Sequence, residues 1–254
     1  MEQLNGWLIT LALALARPVG MSLMLPVLRA SSLGAALLRN GILISLILPV
    51  LPLLHPYVAS NGRWMTLIPG EVAFGFLLGF GVAIPFWAVD MAGFLLDTMR
   101  GATMGTVFNP GLGVQTSIFG LLFSHFLCAL FFISGGINLT LNILYDSYRY
   151  LPPGKALLFD HAFLTFVLAQ WQMLYRLCLS FSLPAVLCMV MSDLALGLLN
   201  RLAQQLNVFS LAMPVKSTLV LIMLIFTLPY AFHYSLAESD KLYLHLKVWL
   251  AHHE

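Results

Sequence analysis

The chain has 254 residues, of which 60% are hydrophobic and 9% charged, and its formal net charge is +2. A soluble domain carries roughly 25% charged residues, so with a mean hydropathy of +0.93 a water-soluble monomer is all but excluded and a polytopic α-helical membrane protein is indicated. The charge is too small and dispersed for nucleic-acid binding, and continuous apolar runs stand where a transmembrane β-barrel needs period-two alternation over about ten residues.

The first apolar segment covers about residues 4–28 and is interrupted by Arg17-Pro18 and Pro26. A proline inside a helix removes a backbone bond and kinks or ends it. The small residues Ala12, Ala14 and Ala16 look cleavable, but the head carries Glu2 and no basic residue, and Arg17 follows the apolar run. A retained first helix is expected. The second segment, about 40–60, holds Pro49, Pro52 and Pro56 and reads as kinked or broken. A third helix is expected to start near Pro69-Gly70-Glu71, where a proline and an acid suit a helix N-terminus. Gly75 and Gly79 form a small-xxx-small pair that permits close helix approach. Asp90, Asp97 and Arg100 follow; Asp97 and Arg100 have the i, i+3 spacing of a pair on one helix face. They are either solvated charges leaving the apolar zone or a polar face turned to a partner or channel.

Residues 101–117 are rich in glycine and contain the turn Asn109-Pro110-Gly111. That composition does not make a lipid-facing helix throughout. Non-helical backbone at membrane depth survives inside protein or beside water, so this stretch is a buried loop lining or plugging a path, or else an ordinary exposed connection. An apolar helix resumes over 118–133 and is broken or bent at Ser134-Gly135-Gly136. Residues 145–160 read as a polar connection around Leu151-Pro152-Pro153-Gly154. Apolar pieces at 163–175 and 177–191 are separated by Arg176, and Pro184 interrupts the second.

The block 193–217 places Asp193, Asn200, Arg201, Gln204, Gln205, Asn207 and Lys216 between apolar segments. Such polar density is costly unless satisfied by neighbouring helices, partner subunits or water. The run 219–234 is apolar, and the tail 238–254 is amphipathic. The chain reads as one domain, all-α, with helical hairpins and broken helices packed in an assembly. Cys128, Cys178 and Cys188 lack C-x-x-C spacing and read as small buried hydrophobes. Nucleotide-binding, zinc-protease and serine-hydrolase motifs are absent from the sequence. No catalytic, metal or cofactor role is expected. Asp90 and Asp193 have nothing around them that supports an aspartyl pair.

The chain resembles the FliR/SpaR/SctT family, the T (or R) subunit of the type III secretion export gate. The likeness is carried by the stretch from Ala195 to Arg201, by Gln205-Leu206-Asn207-Val208-Phe209 and by Met213-Pro214-Val215-Lys216. It continues in Pro69-Gly70-Glu71 with Gly75 and Gly79, and in Leu151-Pro152-Pro153-Gly154. The injectisome branch fits better than the flagellar one. The resemblance implies a non-catalytic subunit of the bacterial inner membrane, within the basal body. It implies assembly with P/SctR-like and Q/SctS-like subunits, contact with a FlhB/SctU-like switch subunit and inner-rod or needle proteins, membrane lipid around the assembly, and unfolded exported proteins in transit.

By position the family's pore plug matches 101–117, and the expected plug residues are Met104, Gly105, Val107, Phe108, Asn109, Pro110 and Gly111. Met104, Val107 and Phe108 are apolar enough to seal by dewetting. Relatives with an acid before the plug proline differ from this chain, which has Asn109, so a charge-based role is not carried over. Glu71, Asp90, Asp97, Arg100, Asp193, Asn200, Arg201, Asn207 and Lys216 are expected as buried polar or assembly residues. The alternative class is a small-solute transporter or permease, with Asp90, Asp97, Arg100 and Lys216 as its polar site.

Overall fold

A computed structural model of the chain describes residues 2–28, 36–52, 64–102, 117–153, 161–202 and 210–226, with Lys241 and Leu244. The elements in chain order are α1 (Glu2–Met24) with a 3-10 turn after it (Pro26–Leu28), α2 (Ala36–Ile47), α3 (Trp64–Met99), α4 (Ile118–Ile133), α5 (Gly136–Tyr150) and α6 (His161–Leu202). A further apolar helix, α7, spans Ser210–Phe226. The protein is all-α, and among the described residues there is no strand. Gly6–Met24, Leu67–Met99 and Phe163–Leu202 are long and apolar enough to cross a membrane; the bent pair α4 and α5 adds a fourth span if counted as one.

The chain divides into two compact units. One unit comprises Met1–Ile84, Phe131–Trp171 and Ser239–Glu254; the other comprises Pro85–Leu130 and Gln172–Glu238.

In the first unit α1 crosses α3 at glycines. A Cβ on Gly75 would collide with the backbone of Arg17, and one on Gly79 would lie 2.6 Å from the Cα of Met21. The expected small-residue pair therefore faces α1, and its missing side chains let the two backbones touch. Leu13, Met21, Phe74, Leu78, Ile143 and Leu144 fill the core around this crossing. In the second unit Gly93 of α3 meets the backbone of Gly120 in α4. Ala92, Leu96, Phe119 and Phe123 are buried beside it, and the Phe123 ring meets Phe181 of α6 edge-on at 5.1 Å.

The expected breaks differ from the fold in several places. Pro18 and Pro184 lie inside continuous helices, and α6 runs unbroken through Arg176. The Arg176 side chain is exposed, so its long stem leaves the apolar run intact. The third helix starts at Trp64, not near Pro69; there Pro69 forgoes only the bond to the Met65 carbonyl, in a part of the helix where few bonds have formed. Residues 145–150 are the end of α5 and not a connection. The bend at 134–136 is present: Gly135 has φ 80° between α4 and α5, a conformation that costs glycine least.

Candidate functional site

The polar side chains of an apolar chain mark where its fold is fastened. In the first unit the fastening is Arg17. Its side chain is wholly buried, and it lies near the middle of the apolar stretch Gly6–Met24. Nε pairs with the Glu71 carboxylate of α3. Nη1 donates to the Ser147 carbonyl at 2.8 Å and to Ser147 Oγ at 3.2 Å, and Nη2 donates to the Leu151 carbonyl at 2.6 Å. The guanidinium plane lies over the Phe74 ring at 4.9 Å and the Tyr148 ring at 4.5 Å.

The Ser147 and Leu151 carbonyls belong to the C-terminal end of α5, where a cation suits the helix dipole; the Ser147 carbonyl also accepts the Leu151 N–H at 3.0 Å. One arginine thus joins α1, α3 and α5. At a helix centre in lipid it would cost about 2.5–3.5 kcal/mol, against about 0.3–0.6 kcal/mol gained from each Leu, Ile or Val. Several apolar residues of α1 are therefore needed to offset Arg17 unless its partners are in place.

Two α5 tyrosines close other gaps. Tyr148 donates to the Ala14 carbonyl at 2.7 Å. Ala14 is four residues before Pro18, which has no N–H to give it. Tyr145 donates to the Leu46 carbonyl at the end of α2 at 3.2 Å.

In the second unit the fastening is Asp97, which is 2% exposed. Its Oδ1 pairs with Arg100 Nη2 at 2.7 Å, as the i, i+3 spacing predicts. Its Oδ2 accepts from Ser117 Oγ at 2.7 Å and from the Phe119 N–H at 3.1 Å, at the start of α4. Its backbone carbonyl accepts the Ala102 N–H at 3.0 Å while Gly101 N–H bonds to Thr98 at 3.1 Å. Gly101, with φ 84°, completes a Schellman end to α3. Asp97 therefore holds both described ends, Ala102 and Ser117, of the intervening stretch.

Lys216 of α7 joins this corner. It donates to the Met99 carbonyl at 3.3 Å and pairs with Asp193 at 2.6 Å. Met213 lies against Gly101. The Met-Pro-Val-Lys motif thus docks on the end of α3.

The other expected site residues fall as follows. Glu71 is buried; Asp90 is exposed, at the α3–α4 crossing beside Gly120. Asp193, Asn200 and Arg201 lie on exposed positions of α6. Asn207 and all seven expected plug residues, Met104, Gly105, Val107, Phe108, Asn109, Pro110 and Gly111, lie outside the described residues. Sequence reading missed Arg17 as a hub. A lone arginine inside an apolar run, with an acid inside another, was the signal. It also missed Gln170, whose buried side-chain amide atoms have no hydrogen-bond partner; nothing among the described residues explains it. Among those residues no cluster of three His, Cys, Asp or Glu is placed to hold a metal ion.

Fold and polar groups together define a polytopic all-α membrane protein whose described polar network ties helices together. Residues 8–242 match the bacterial export proteins, family 1, and the chain belongs to that family, as the resemblance implied. It is 60% identical over 253 residues, 98% of each chain, to the secretion system apparatus protein SsaT of Salmonella typhimurium. It is 37% identical to the Yop proteins translocation protein T of Yersinia pestis, over 86% of this chain and 85% of that one. Identity to the flagellar biosynthetic protein FliR of Pectobacterium carotovorum is 29%, over 74% of this chain and 72% of that one. The injectisome branch is favoured.

Proposed function

We propose that this chain is a non-catalytic core subunit of a type III export gate, acting as a single export-gate domain in the bacterial inner membrane within the basal body. It assembles with P/SctR-like and Q/SctS-like subunits to form and seal the protein-conducting channel. The switch subunit and the rod or needle proteins are its further neighbours, and unfolded proteins are its cargo. The names of its relatives support the export role.

The observation that carries the assembly reading is the bare face of α6. Exposed apolar side chains run from Leu164 to Leu202, and little of the apolar stretch Phe163–Leu202 is buried. Its 42 residues extend about 63 Å at about 1.5 Å each. The hydrocarbon core is about 30 Å thick, and a tilt of about 40° lengthens the path to about 39 Å. Lipid therefore covers one part of this face, and other protein covers the rest. Asn200 and Arg201, exposed at the same end, then become contacts with that protein. The plug is assigned to Met104, Gly105, Val107, Phe108, Asn109, Pro110 and Gly111, which fall in sequence between Ala102 and Ser117, both bonded to Asp97.

Co-expression with P-like and Q-like subunits and purification in mild detergent tests the reading. The chain is expected to co-purify with both and to be unstable alone. A stable monomer or homo-oligomer that ignores both partners overturns it and favours a permease.

A further inference from the structure

We propose that α1 carries a hinge at Ala14–Pro18 and that α5 latches it. Pro18 leaves the Ala14 carbonyl without its i+4 donor. Ala14 is wholly buried, so water does not replace that donor, and an unmet carbonyl there is costly. The Tyr148 hydroxyl of α5 supplies the bond instead, at 2.7 Å. Directly before the proline, Arg17 binds the Ser147 and Leu151 carbonyls, also at the end of α5.

Helix α1 is thus one backbone bond short at the point where α5 grips it. Proline-containing helices bend where the ladder is open. Here the α1 backbone stays helical through residue 18 while a side chain from 134 positions away closes the gap. Movement of the α5 end, which leads into Leu151-Pro152-Pro153, removes the Tyr148 bond and the Arg17 bonds in one step and frees α1 to bend. The device is independent of the export-gate reading, because it needs only α1 and α5 of this chain.

Hydrogen exchange of the full chain in detergent, read by mass spectrometry, tests it. Tyr148→Phe removes the hydroxyl and keeps the ring. Amides around the hinge are expected to exchange about tenfold faster, the scale of one lost hydrogen bond, with α6 unchanged. Pro18→Ala restores the missing backbone donor, so the double variant Pro18→Ala, Tyr148→Phe is expected to return to near the parent rate. Unchanged exchange in Tyr148→Phe overturns the proposal. So does fast exchange that persists in the double variant. If Tyr148→Phe does not fold, the double variant decides: a folded, protected α1 supports the latch, and a second failure to fold overturns it.

Discussion

Arg17 and Glu71 form an ion pair with the arginine fully buried and the glutamate side chain 8% exposed. Removing one partner of such a pair strands the other charge, at a cost of about 3–5 kcal/mol. Arg17→Ala is therefore expected to lower the thermal midpoint of the purified chain sharply. Glu71→Gln keeps an acceptor for the guanidinium and is expected to do less harm. The double variant Arg17→Met, Glu71→Gln is expected to recover only part of the loss, because the Leu151 carbonyl loses its Arg17 donor and the Ser147 carbonyl keeps only the Leu151 N–H. Full recovery would mean that the ion pair, not the grip on α5, is what Arg17 contributes.

Lys216 and Asp193 make the contrasting pair. Asp193 has a side chain 47% exposed, and ion pairs open to solvent contribute about 0–1 kcal/mol. Lys216→Met is expected to shift the midpoint far less than Arg17→Ala. An equal loss would place Asp193 in a much drier setting than its exposure indicates.

Three glycines separate packing from propensity. A Cβ on Gly75 meets the α1 backbone, which cannot turn aside, whereas one on Gly70 or Gly197 meets nothing within 4 Å. Gly75→Ala is expected to destabilise the chain by pushing α1 off α3. Gly70→Ala and Gly197→Ala are expected to stabilise the isolated chain by up to about 1 kcal/mol through helix propensity. Gly197 lies on the exposed part of α6, so in the proposed assembly the same change is expected to lower the yield of complex. Thermal unfolding of the single chain and co-purification yield report the two effects separately.

The all-α class, the apolar spans and the Asp97–Arg100 pair were legible because each is local. Hydropathy accumulates along a run, and i, i+3 partners meet within one helical turn. The same held for Gly75 and Gly79, whose spacing already describes one helix face. Arg17 was not legible as a hub because Glu71 lies 54 positions away and Ser147 lies 130 away. Proline was over-read as a helix breaker for the same reason. The cost of Pro18 depends on whether a donor arrives for Ala14, and Tyr148 is far along the chain. Read locally, residues 145–150 are polar and look like a loop. In the fold those polar groups satisfy the backbones of α1 and α2.

The plug assignment is tested at its ends as well as in its middle. Asp97 is the shared acceptor of Ser117, the Phe119 N–H and Arg100, and it is nearly inaccessible to water. Asp97→Ala removes all of its carboxylate bonds and frees the start of α4 from the end of α3. With partners assembled, the variant is expected to make cells leak small solutes, as is deletion of residues 103–114. Asp97→Asn keeps one acceptor oxygen and is expected to leak less. Arg100→Ala, which leaves Oδ2 bonded to Ser117 and Phe119, is expected to leak least. Permeability of cells carrying the assembled complex gives the order. A tight deletion variant in an intact complex removes the plug assignment. A leaky deletion with a tight Asp97→Ala keeps the plug and removes Asp97 from its control.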